Sequence, residues 1–272
     1  MPRTAKEREV AADFGQQYEL VLAEVMLAME RDACGSDYGG TSWTTRAEAD
    51  RIGRLLDLAP GDRLLDIGSG AGWPGLYLAR SRGCDLTLTD LPFAGLQIAA
   101  KRAVEDRMTG ACWTAVADGA ALPFRDRAFD AISHSDVLCC LADKGGVLRA
   151  CHSAIRPEGR MAFSVISITP GLSEAGLETA LANGPPYIET DIAYPDLLEQ
   201  AGWQITDRID ITEEFVKTVR RVAEAQETYR TQLCELLGET ETADRMTRMK
   251  EGLAAREAGV HLREIYVAMP VI

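Results

Sequence analysis

Four acids and a short glycine run carry most of the chemistry open to this sequence. Asp66 sits in Arg63-Leu64-Leu65-Asp66-Ile67, and Gly68, Gly70 and Gly72 follow it two apart, with Ser69 and Ala71 between them. Glycine admits positive φ and lets another group approach where a Cβ would clash, so this spacing at the end of an apolar run marks a loop that passes close to a ligand. The pattern is G-x-G-x-G, not the G-x-G-x-x-G of a dinucleotide fingerprint, and no Gly-Lys-Ser/Thr follows to make a P-loop. Asp90 closes the alternating run Cys84 to Asp90, eighteen residues beyond Gly72. In a strand-helix-strand unit that distance brings a carboxylate to the neighbouring strand end, where it can accept both hydrogen bonds of a ribose diol. Asp118 opens Asp118-Gly119-Ala120-Ala121-Leu122-Pro123-Phe124, and Ser133-His134-Ser135-Asp136 ends a further run with a histidine and an acid.

The elements that must position these groups are legible around them. Leu76 to Arg82 reads as a helix, Trp113 to Ala117 as a short strand, Phe129 to Ser135 as a fourth strand and Arg160 to Ile168 as a fifth, after a turn at Pro157 and Gly159. A helix at Tyr194 to Ala201, a strand at Trp203 to Ile211 and a last strand at His261 to Met269 complete the pattern. This alternation predicts an α/β fold, a Rossmann-like doubly wound sheet of seven strands whose last strand runs antiparallel.

Together these segments resemble the class I S-adenosylmethionine (SAM) dependent methyltransferases, in particular the small-molecule branch that acts in ubiquinone and menaquinone biosynthesis and on sterols and sarcosine. The resemblance spans roughly Leu55 to Ile168. It implies that Asp66, Gly68, Ser69, Gly70 and Gly72 wrap the methionine part of SAM and that Asp90 holds the ribose hydroxyls. It further implies that Leu91 packs on the adenine face, that Asp118 takes the adenine amino group and that Gly119 or Ala120 offers a backbone N–H to the ring. Ser135, or its carbonyl, matches the position near the SAM amino group. The implied activity is methyl transfer to a small-molecule acceptor, with S-adenosylhomocysteine (SAH) as product. Two alternatives remain open: a non-catalytic SAM-fold binding or regulatory subunit, and a SAM enzyme with another transfer or cyclisation chemistry.

The rest of the chain bears on the acceptor. Phe14, Tyr18, Val25, Met26 and Met29 recur at helical spacing, so about Ala5 to Cys34 is expected to form one or two helices that pack on the domain or also cover the cofactor. The loop Gly35 to Thr45 carries Tyr38 and Trp43. These aromatics either close over the methionine arm or substrate, where their faces suit a sulfonium, or simply anchor the loop. About fifty residues, Thr212 to Gly259, read as helical where a direct return to the last strand would do. They form a cap over a substrate cavity or a surface for a second copy of the chain. The expected organisation is 1–50 as a helical segment and cofactor-covering loop, 51–168 as the SAM-binding core, and 169–272 as the rest of the sheet with cap insertions at 169–193 and 212–259.

His134 is a candidate base for an O–H or N–H acceptor, or else a packed residue, and Tyr38 is a second candidate catalytic group. Cys139 and Cys140 read as buried small hydrophobes rather than nucleophiles. His152 and His261 lack ligand partners at useful spacing, so no metal is expected. Seven cysteines without a C-x-x-C pair suit reduced thiols in the cytoplasm. A net charge of −13 argues against a phosphate backbone as partner. Neither a leader at Met1 to Val10 nor a membrane insertion is expected, because no apolar run approaches a span.

Overall fold

Leu64, Leu65 and Ile67 are almost wholly buried on both faces of β1 (Arg63–Ile67), as a central strand of a parallel sheet requires. The computed structural model describes residues 4–271; Met1 to Arg3 and Ile272 lie outside the described residues, and so do the parts of the sequence expectations that fall on them. β1 is flanked by β2 (Asp85–Asp90) and β4 (Phe129–Ser135), both parallel to it, with Ile67 opposite Thr89 on one side and His134 on the other. That register sets the carboxyl ends of three strands side by side. β3 (Cys112–Val116) forms the edge next to β2, with Trp113 and Val116 exposed.

β5 (Ile155–Ile168), β6 (Trp203–Asp210) and β7 (His261–Pro270) complete a seven-stranded sheet of order β3-β2-β1-β4-β5-β7-β6. β7 runs antiparallel, as the sequence predicts, and it does so between β5 and β6. The chain leaves β1 toward β2 and β3 and then crosses back to β4, so a crevice opens above the carboxyl ends of β1 and β4. β5 begins five residues earlier than the expected Arg160, with a register irregularity against β4 between Phe129 and Ala131. Pro157 and Gly159 fall within that irregular start.

Two apolar layers cover the sheet. Leu64, Leu86, Leu88 and Val267 face α3 (Arg46–Leu55), α4 (Gly75–Arg82) and α5 (Phe93–Glu105). Leu65, Ile132, Phe163 and Tyr266 face α6 (Lys144–Ala154) and α8 (Tyr194–Gln200). Leu64 and Leu65 thus serve opposite layers, the consequence of side chains alternating along a strand. α3, not anticipated from the sequence, starts where the Thr45 hydroxyl accepts from the Glu48 N–H and buries Ala49 and Ile52.

The remaining helices lie at the carboxyl edge. The N-terminal segment splits into α1 (Ala5–Leu20), which packs on α5, and α2 (Glu24–Cys34), which packs on α9 (Thr212–Thr228). α10 (Arg230–Leu237) and α11 (Glu239–Glu257) complete the helical insertion, with Met26, Met29, Ala225 and Leu233 in a small core of their own. The Gly, Pro and Ala-rich stretch after β5 holds α7 (Glu174–Ala182), whose first turn is capped by the Ser173 hydroxyl accepting from the Gly176 N–H. No described helix is long and apolar enough to cross a membrane.

Candidate active site

A cavity of about 770 Å³ lies above the crevice, bounded by the glycine loop on one side and by residues of the cap on the other. Gly68, Gly70 and Gly72 take φ of 62°, 50° and 101°. A Cβ on Gly68 would stand 2.5 Å from Val137 and one on Gly70 2.8 Å from Tyr18, so close packing as well as backbone conformation demands glycine there. The loop is held by the Ser69 N–H donating to the Thr89 carbonyl and the Gly72 N–H donating to the Ser69 carbonyl. Gly68, Ser69 and Gly70 line the cavity, whereas Gly72 meets Leu76 behind it and shapes the turn.

Asp90 is the hub of the donor side. Its Oδ2 accepts from the Gly70 N–H at 2.7 Å and from the Tyr18 hydroxyl at 3.1 Å, and its Oδ1 accepts from the Leu91 N–H at 2.7 Å. Burial pushes its pKa up while these donors pull it down, and the same burial, with Asp90 beside it, raises that of Tyr18. Asp66 is buried beneath the loop, with Oδ1 accepting from the Ser133 hydroxyl at 2.6 Å. Burial lifts its pKa to about 7 against the opposing pull of Ser133 and the Gly75 backbone, and Oδ2 makes no well-formed hydrogen bond among the described residues. Asp118, Gly119 and Ala120 line the cavity, and Asp118 Oδ1 accepts from the Ala120 N–H at 3.0 Å. Leu91 and Ser135 also line it.

His134 stands elsewhere. It is fully buried in β4, stacked on Phe163 with ring centroids 4.4 Å apart, and it is not on the cavity wall. Burial lowers its pKa to about 3, so the ring is neutral, and neither nitrogen has a partner among the described residues. The expectation of a base at His134 is therefore corrected: the side chain belongs to the core. Tyr38 is corrected likewise. Its hydroxyl donates to Asp106 at 2.7 Å, its ring packs on Trp73, and it lines a separate polar cleft, not the cavity. Trp43 does reach the cavity, edge-on to Phe215. Cys139 is buried, and Cys140 touches the cavity wall. Among the described residues no cluster of three or more His, Cys, Asp or Glu is arranged for a metal.

On the cap side, and buried behind Asp136, lie arginines that sequence reasoning did not single out. Arg263, fully buried in β7, donates to both oxygens of Glu48 at 2.8 Å and to both oxygens of Asp136 at 2.9 and 3.0 Å. Thr44 and Ser164 accept from the same guanidinium at 3.2 Å. Burial opposes its charge, but Asp136 and Glu48 outweigh burial and hold its pKa above the usual arginine range. Asp136, on the cavity wall, takes φ of 56° to make these bonds. Arg256 of α11 also reaches the wall, its guanidinium 5.6 Å from the Trp43 ring centre and 5.1 Å from that of Phe215. Among these, Asp136 carried a sequence signal, as the acid that ends the run from Ser133.

Residues 65–163 match the family model of the methyltransferase domain. That segment, which holds the glycine loop, Asp90 and Asp118, is similar to the class I SAM-dependent methyltransferases. It is 35% identical over 141 residues to a 27-O-demethylrifamycin SV methyltransferase of Amycolatopsis mediterranei, a match covering 50% of this chain and 48% of that one. The chain spans about half the length of the curated relatives that it matches. Among solved structures, a phosphoethanolamine N-methyltransferase 2 of Haemonchus contortus, in complex with phosphomonomethylethanolamine and SAH, superposes with a TM-score of 0.79 at 17% identity, covering 100% of this chain and 62% of that one. The [4+2]-cyclase SpnF superposes with a TM-score of 0.73 at 21% identity over 95% of both chains. At such identities the two likenesses establish the fold alone.

Proposed function

We propose that this protein is a SAM-dependent methyltransferase that passes a methyl group to a small-molecule acceptor inside the capped cavity. The observation that carries the reading is the convergence at one sheet edge of a glycine cradle with no room for a Cβ, an Asp90 carboxylate already gathering donors, and a buried Asp66 with an orphaned oxygen. These features fit the donor molecule. Asp90 takes the ribose diol, sharing or displacing the Tyr18 hydroxyl. Asp118 takes the adenine amino group, and Leu91 covers the ring. Gly119 is the N–H donor to that ring, because Ala120 already gives its N–H to Asp118. Ser69, Gly70, Ser135 and Asp66 hold the amino-acid end, where an ammonium group stabilises Asp66 in its ionised form.

Bound SAM supplies an electrophilic methyl group on a sulfonium. The protein orients the acceptor and excludes water, and in-line alignment in a closed cavity provides much of the acceleration. No histidine base takes part. Residues of 1–50, 169–193 and 212–259 act as the cover, with Trp43 on the acceptor side. We place the protein in the cytoplasm, since all seven cysteines are free thiols, and its net charge of −13 favours a small acceptor over nucleic acid.

The test is SAH release when the protein and SAM are offered fractionated small-molecule extracts, with product mass read in parallel. A product one methyl heavier supports the reading. SAM binding with no turnover on any fraction favours a partner-dependent binding subunit, and a SAM-dependent product without added methyl favours another transfer or cyclisation.

A further inference from the structure

We infer that the acceptor carries an oxyanion, a carboxylate or a phosphate, that pairs with the Arg256 guanidinium on the cap wall of the cavity. The inference rests on the proposed reading of the cavity as a donor and acceptor site. Arg256 is 8% exposed and lines the cavity, yet no carboxylate lies within ion-pair distance of it among the described residues. Arg263, buried behind this wall, is by contrast engaged by two carboxylates. A buried guanidinium without a counter-ion is destabilising, so such groups normally find a partner.

Its donors are held ready. Of the five N–H groups of a guanidinium, one on Nη1 goes to the Gly252 carbonyl at 2.6 Å and one on Nη2 to the Asn183 carbonyl at 3.3 Å. Nε has no partner among the described residues. These two bonds, with Trp43 and Phe215 against the guanidinium, fix its plane. Nε is shielded from the cavity, which leaves the second N–H on each of Nη1 and Nη2 as the donors for a carboxylate or phosphate. Burial lowers the pKa of Arg256 only to about 10, so the group stays charged at neutral pH.

None of the described carboxylates that line the cavity forms an ion pair with Arg256; Asp66 and Asp118 lie on the donor wall, and four others are held by different groups. Asp136 is held by Arg263, Asp90 by Gly70 and Leu91, Asp143 by the Gly146 N–H and Glu7 by Thr4. One competing role for Arg256 is to balance at longer range the surplus negative charge of the Glu48, Arg263 and Asp136 cluster. That role makes no demand on the acceptor, and the two differ in what they predict for a ligand.

The test uses the full chain saturated with SAH, titrated calorimetrically with phenylacetate, phenyl phosphate and the neutral phenylacetamide, in the wild type, Arg256→Leu and Arg256→Lys. At least one anion is expected to bind the wild type about 10-fold or more tighter than the amide, as a charge-assisted bidentate contact gives. That preference is expected to vanish in Arg256→Leu and to survive in part in Arg256→Lys, with SAH affinity unchanged in both. The better of the two anions identifies the oxyanion. If the amide binds the wild type as well as both anions, or the preference persists in Arg256→Leu, the inference is overturned and charge balance is the role of Arg256. Should Arg256→Leu fail to fold, the wild-type preference and its weakening in Arg256→Lys decide the question. Absence of SAH binding to the wild type would instead remove the donor reading, a distinct failure.

Discussion

The donor wall of the cavity and its cap wall are made of different materials. On the donor wall the polar groups are backbone N–H groups and short carboxylates at strand ends, with Asp90 meeting Gly70 from the loop after the neighbouring strand and Leu91 next to it in the chain. On the cap wall Asp136 and Arg256 face the cavity, and behind Asp136 long side chains are brought together from distant parts of the chain, Arg263 meeting Glu48 over 215 residues and Asp136 over 127. The donor wall is thus set by sheet register and loop conformation, while the cap wall is set by the tertiary fold and in turn helps to hold it. Changes on the cap wall should therefore register first as stability, and changes on the donor wall as ligand affinity.

The largest expected effect breaks the cap-wall cluster. Arg263→Leu leaves Glu48 and Asp136 buried without a counter-ion and should lower unfolding stability by about 3–5 kcal/mol, read from urea denaturation. A loss below about 1 kcal/mol would mean that this wall does not hold the fold together. On the donor wall, Gly68→Ala forces φ of 62° on alanine and drives its Cβ toward Val137. It should weaken SAH binding about 10-fold or more while lowering stability by only about 1–3 kcal/mol. If stability falls further with SAH affinity intact, the division between the walls fails.

Asp66 gives a smaller effect with a definite sign. Its folded pKa of about 7 lies above the ordinary value of 3.8. The unfolded chain therefore loses this proton first as pH rises, and stability present below pH 4 is lost between about pH 4 and 7. Between pH 5 and 8 the ligand-free protein should lose about 2 kcal/mol that Asp66→Asn does not lose; parallel pH profiles for the two proteins would refute the assignment. His134 runs the other way. Its folded pKa of about 3 lies below the ordinary 6.5, so stability present above pH 6.5 is lost as pH falls toward 3. His134→Phe keeps the stack on Phe163 and should remove that acid-side loss while changing turnover by less than about 2-fold, since a residue off the cavity makes no contact to lose. A drop of about 100-fold or more in kcat would restore His134 as a base.

The contrast between the walls also explains what the sequence discloses. Asp66, Gly68, Gly70, Asp90 and Asp118 stand out because each donor-wall feature is local: an acid at a strand end, a glycine where φ is positive, a turn two residues long. The seven strands are legible for the same reason, as short apolar runs, and so is the helical insertion before β7. His134 misleads because its place beside Ser135 suggests the cavity, whereas the core of β4 claims the ring. Tyr38 misleads because its loop approaches the cavity through Trp43 while Tyr38 itself turns behind Trp73. Arg256 and Arg263 are invisible in the sequence because one arginine in a helix and one in a strand resemble solvated residues until the fold buries them. α3 and α7 escape notice because their apolar stripes are short and their neighbours rich in Gly, Ala and polar residues.

The central claim is that this sheet edge is a SAM cradle organised by Asp90. Calorimetric titration of the purified protein with SAH, beside Asp90→Ala, tests it most directly. The account predicts one saturable site in the wild type and an affinity about 30-fold or more weaker in Asp90→Ala, the loss of hydrogen bonds to a charged acceptor, with the unfolding midpoint changed far less. No binding to the wild type, or equal binding to both proteins, would contradict it.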